Sequence, residues 1–147
     1  MARFHSTKTL RTRADPQAIL DLLSRPDRRP DWQPEILWMR GPERLTPGEE
    51  QHGRARMMGF EVAGRSRTIA VTDRVFEEEA LVGVRLRIRY EISSDDGRVE
   101  VAHHLIAELP RGFWGRAVSL FLRSRLRVMQ TRALKNLVAH VEPEASS

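Results

Sequence analysis

The sequence predicts an α+β fold in which one antiparallel sheet lies against a single long C-terminal helix, and two observations carry that expectation. From Gly112 to Val141 no proline interrupts the chain, and Leu122, Leu126, Met129, Ala133 and Leu137 recur at the spacing of one helical face, with Leu134 and Val141 on its flank. The earlier segments that read as regular structure, one short helix apart, alternate apolar with polar residues as half-buried strands do. A helix of that length with a continuous apolar stripe is not stable alone in water, so the stripe needs the sheet.

With 147 residues, 40% of them hydrophobic, the chain suits one domain able to bury a core unaided, expected over 1–142, with 143–147 as a disordered tail. Cysteine is absent, which excludes disulfides, iron–sulfur clusters and thiol nucleophiles. The opening MARFHSTKTLRTR has no apolar leader core, and no run approaches the ~18 apolar residues of a membrane span, so a cytoplasmic location is expected. The net charge of +5 comes from arginines dispersed between Arg3 and Arg132 among acidic residues, with lysine only at Lys8 and Lys135. Dispersed charge of this kind reads as a solvated surface, and no specific nucleic-acid partner is expected.

The elements follow in order. Arg3 to Thr12, polar with Phe4 and Leu10, reads as the first strand. Asp15 as N-cap and Pro16 at the first helical position open a short helix to about Ser24. Pro26, Pro30 and Pro34 then impose a loop or a second short helix carrying Trp32. Ile36 to Arg40 reads as the second strand, and Gln51 to Val62 as a third with a bulge near Gly59. Ala63-Gly64-Arg65 is expected to turn, followed by a strand from Ser66 to Phe76 with Ile69, Val71, Asp73 and Val75 on one face and Thr68 on the other. The run Glu77-Glu78-Glu79 reads as a solvated turn. From Val82 to Ile92 the alternation is close to ideal, and Asp96-Gly97 marks a hairpin whose second arm places Val99, Val101, His103, Leu105, Ala107 and Leu109 on one face. Pro110 ends that arm.

Several local features recur in this order: Ala14-Asp15-Pro16, Leu22-Leu23-Ser24, Trp32-Gln33-Pro34, Pro47-Gly48 before the third strand, the Asp96-Gly97 hairpin, and Leu134-Lys135-Asn136-Leu137. Together they resemble the START-like polyketide cyclase and lipid transport (SRPBCC) superfamily. The resemblance implies the helix-grip fold, a curved antiparallel sheet of six or seven strands wrapped around the last helix, with a cavity between them. It departs from that superfamily in one respect, since Leu81 to Ile92 reads as one strand where relatives often have two. It also implies a hydrophobic small-molecule ligand, lipid, polyketide-like or aromatic, with cyclase or dehydratase chemistry as the alternative.

Two polar residues fall on apolar faces, Asp73 and His103, and the Asp96-Gly97 hairpin sets Tyr90 opposite His103. A His103 general acid or base tuned by Tyr90 or Asp73 is the catalytic reading; a hydrogen-bonded core histidine weighs more, because nothing completes a triad or supplies a nucleophile. His103 and His104 face opposite sides of a strand and His5, His52 and His140 lie in separate elements, so no metal is expected, and no cofactor either. The cavity walls are expected from Trp32, Trp38, Val71, Ile88, Val101 and Leu105, facing Leu122, Leu126, Met129, Ala133 and Leu137 of the helix. A second stripe, Trp114, Ala117, Phe121 and Val128, lies on the back of the helix among Arg116, Arg123, Arg125 and Arg127. Cover by the Trp32 loop or a homodimer contact is expected there ahead of a membrane surface.

Overall fold

The computed structural model describes residues 2–57, 59–109 and 113–142, the side chains of 2, 113 and 114 excepted. The expected tail, the Trp114 side chain and the Pro110 strand end lie outside the described residues. The elements are β1 (Ala2–Thr12), α1 (Pro16–Leu23), a 3-10 turn (Pro26–Arg28), α2 (Arg29–Trp32), β2 (Ile36–Arg40), β3 (Glu50–Met57), β4 (Phe60–Val71), β5 (Val75–Val82), β6 (Val84–Asp95), β7 (Arg98–Leu109) and α3 (Phe113–Val141). The seven strands form one antiparallel sheet in the order β1-β7-β6-β5-β4-β3-β2. This is the helix-grip α+β fold.

Local chemistry sets the ends as expected at several places. Asp15 Oδ1 accepts the Gln17 N–H at 3.2 Å ahead of Pro16, and α1 buries Ile19, Leu20, Leu22 and Leu23. Asp96 and Gly97 both take positive φ, +48° and +76°, the geometry of a two-residue hairpin, and they set the β6–β7 register that places Tyr90 opposite His103.

The middle of the sheet departs from the sequence reading. The expected third strand is two, joined at Gly59, whose φ of +82° belongs to a turn rather than a bulge. Ala63-Gly64-Arg65 runs straight through β4, and the irregularity falls between Thr68 and Ala70. Thr68, before that shift, stays in phase with Gly64 and Ser66 and is buried, while Asp73 lies exposed in the turn between β4 and β5, where Thr72 Oγ1 accepts the N–H groups of Arg74 and Val75. The three glutamates are not a turn but the middle of β5. Strand alternation sends Glu77 and Glu79 to the outer face, where Arg87 and Arg89 pair with them, and Glu78 inward. The expected strand from Val82 to Ile92 breaks at Gly83, whose φ of +76° an L side chain rarely adopts, and the count settles at seven.

The core is built from α1, the inner faces of β5, β6 and β7, and the stripe of α3 that includes Leu122, Leu126, Ala133, Leu134 and Leu137. The helix rests most closely on β1 and β7, with α1 and α2 beside it. The described residues leave its back exposed: Trp32 is fully buried in the core, whereas Phe121 and Val128 are about half exposed. The expectation of cover by the Trp32 loop therefore fails, because Trp32 packs edge-on against Tyr90 instead, with ring centroids 6.1 Å apart.

Candidate functional site

Where α3 stands off from β2, β3 and β4 there is space, and its walls follow from side-chain size. Gly53, Ala55, Gly64, Ser66 and Ala80 are inward residues of three neighbouring strands too small to reach the helix, and together with Ile88 and Met129 they line an inner chamber of about 70 Å³. An outer cleft of about 350 Å³, between Leu37 and Met57 on the sheet side and Leu122, Leu126 and Arg132 on the helix, shares Glu35, Met57 and Met129 with it. Chamber and cleft therefore adjoin, with Glu35, Met57 and Met129 as their common wall.

A charged group closes the inner end. Arg29, held by α2, donates through Nη2 to Glu78 Oε1 and through Nε to Gln33 Oε1, and its guanidinium carbon lies 4.9 Å from the Trp32 ring centroid. Glu78 takes further bonds at Oε2 from Ser66 Oγ at 2.8 Å and Gln51 Nε2 at 3.3 Å, so the buried carboxylate is fully paired. The arginine is not. Its side chain is 5% exposed, yet Nη1 has no hydrogen-bond partner among the described residues, and neither has Glu35 Oε1, buried where chamber meets cleft. Burial pushes the Glu35 carboxyl above its ordinary range, opposed in part by its own backbone N–H and the Arg132 and Arg29 guanidiniums. One buried donor and one buried acceptor thus line the space unsatisfied, and each is costly unless something in the cavity meets it.

The predicted residues divide. Ile88 and Met129 line the chamber, and Leu122, Leu126 and Met129 the cleft. Trp32 stands behind Arg29. Val101, Leu105, Ala133 and Leu137 belong to the closed core, Val71 packs at its edge, and Trp38 is 39% exposed against His52. Tyr90 and His103 meet as the register predicts, edge to face with centroids 4.6 Å apart. Asp73 does not join them. Burial pushes the Tyr90 hydroxyl up and the His103 imidazole down to about 3.

His103 has a partner that sequence reasoning missed. Gln130 Nε2 lies 2.9 Å from His103 Nδ1 and donates to the His103 carbonyl at 2.9 Å and the Ser6 carbonyl at 3.1 Å, while Ser6 Oγ donates to Gln130 Oε1. The signal was present, because Gln130 follows Leu122 and Leu126 at four-residue steps and so is a polar residue on the apolar stripe. Glu78 is the polar member of the inward row Phe76, Glu78, Ala80 and Val82, a row that exists only once the three glutamates are read as strand. For Arg29, in a four-residue helix between prolines, no periodicity exists to read.

A family model described as polyketide cyclase / dehydrase and lipid transport matches residues 1–142. Among solved structures, the Zhui aromatase/cyclase from Streptomyces sp. R1128 superposes with a TM-score of 0.82 at 12% identity, covering 95% of this chain and 94% of that one. The TTHA0849 protein of Thermus thermophilus gives 0.80 at 13% identity over 94% and 97%. A START superfamily protein from Mycobacterium smegmatis gives 0.71 at 16% identity over 92% and 97%. At such identities these likenesses establish the fold alone. No curated protein matches the sequence.

Proposed function

This chain belongs to the polyketide cyclase / dehydrase and lipid transport family, and on that premise we propose that it binds a hydrophobic small molecule in the space between sheet and α3. The apolar body of the ligand lies along Met57, Leu126 and Met129, and a polar group on it meets Arg29 Nη1 and Glu35 Oε1. The observation that carries this reading is a buried guanidinium with an unused donor, on a residue that lines a chamber adjoining the outer cleft. Native mass spectrometry of the purified protein, with displacement of bound 1-anilinonaphthalene-8-sulfonate by candidate ligands, tests it. Met129→Trp, which blocks the junction of cleft and chamber, abolishes binding; unchanged probe affinity in that variant overturns the reading.

Catalysis through His103, the cyclase-type alternative, has less support. The ring is buried, Nδ1 is held against Gln130, and an imidazole pushed down to about 3 is a weak base at neutral pH. Turnover of a candidate substrate by wild type, lost in His103→Ala with binding retained, would restore it.

A further inference from the structure

The uncovered back of α3 borders the cavity mouth. Val118, Phe121, Arg125, Val128 and Arg132 follow at i, i+3, i+7, i+10 and i+14, which sets them on one side of the helix, and Arg125 and Arg132 of that row line the outer cleft. Phe121 is 52% exposed. Across the cleft Gly59 lines the same mouth, and its neighbour Phe60, at the β3–β4 hairpin, is 73% exposed. Large apolar side chains therefore stand in solvent on both lips of one opening.

Charge identifies what they face. The chain has 20 acidic residues and none lies in α3, whereas Arg116, Arg123, Arg125, Arg127, Arg132 and Lys135 all do. Of these, Arg125 and Arg132 lie on the row that borders the mouth, whereas Arg123 and Arg127 lie over the Phe4 ring on another side of the helix. Two copies meeting through this face would set arginine against arginine, which disfavours a symmetric dimer. A basic helix face with exposed phenylalanine and valine matches an anionic lipid surface, where the cations meet headgroups and the apolar groups enter the boundary region. We propose that this rim docks on an anionic bilayer with the cavity mouth turned toward the lipids. Among the described residues no helix is long and apolar enough to cross a membrane, so the contact is at the surface.

Flotation with vesicles of phosphatidylcholine alone and of equimolar phosphatidylcholine and phosphatidylglycerol tests the proposal. The protein floats with the mixed vesicles only, and added salt releases it. The paired substitutions Phe60→Ser with Phe121→Ser, and Arg125→Gln with Arg132→Gln, each lower the partition by about tenfold or more, and the exposure of these side chains leaves the fold intact. Equal flotation of the Phe60→Ser, Phe121→Ser protein reduces the effect to diffuse charge and overturns the proposal. Failure to float at all overturns it and leaves an acidic protein as the occupant. A dimer in sedimentation velocity that Phe121→Ser dissolves also overturns it, in favour of a second copy. Vesicle binding needs no bound ligand, so its failure is distinct from failure of the cavity reading.

Discussion

Two polar clusters are buried against the inner face of one sheet, and they are finished differently. Around Gln130 the partners close on one another, and none of the buried atoms lacking a partner belongs to Ser6, His103 or Gln130. Around Arg29 the carboxylate side is saturated by Ser66 and Gln51, while Nη1 of this chamber-lining residue has no partner among the described residues. A polar cluster that satisfies itself needs nothing from outside and serves the fold. One that leaves a charged donor unmet on a residue lining a cavity has the character of a binding site.

The sharpest way to break this contrast is Glu78→Leu. It strands a buried guanidinium and is expected to destabilise by about 3–5 kcal/mol in urea unfolding; a change near zero would mean that Arg29 reaches water and that the pair is not sealed. Gln130→Leu leaves the His103 and Ser6 acceptors unmet and costs about 1–3 kcal/mol, with ligand affinity unchanged, since the cluster closes on itself. A fall in affinity of the same size would join the two clusters into one site.

Acidification probes the closed cluster directly. Folding holds the His103 imidazole near 3 against an ordinary value of about 6.5, so the folded state favours the neutral ring and the unfolded chain takes up the proton first. The stability this ring contributes is complete above about pH 6.5 and is lost toward pH 3 at about 1.4 kcal/mol per pH unit. His103→Leu flattens that part of the urea-midpoint profile; parallel profiles for the two proteins would show that the ring is hydrated. The smallest effect on stability, under about 1 kcal/mol, is expected for Ala80→Val, whose two added methyl groups fit the inner chamber rather than opening a void. Probe binding in that variant is nonetheless weakened.

The same contrast explains what the sequence made legible. The closed cluster sits on long regular elements: the Asp96-Gly97 turn fixed the register, so Tyr90 opposite His103 could be read in advance, and Gln130 was readable on the stripe of α3. The open cluster is assembled from irregular chain. Arg29 lies among prolines, and Glu78 in an acidic run that composition alone assigns to solvent. Only strand direction, two glutamates out and one in, separates Glu78 from its neighbours. That direction depends on turns at Gly59, Asp73 and Gly83, which the sequence reading placed elsewhere or ran through.

Gly53 and Gly64 face each other across β3 and β4 in the chamber wall, and they are not equally replaceable. A methyl group on Gly53 would collide with the Trp38 carbonyl oxygen and Met39 Sδ of the edge strand, whereas one on Gly64 would meet Val82 at an ordinary 3.5 Å. One position is therefore locked by its neighbour and the other is free to grow. Single substitutions at Gly64 can reshape the chamber in small steps, without touching its charged end or the strand pairing that holds it.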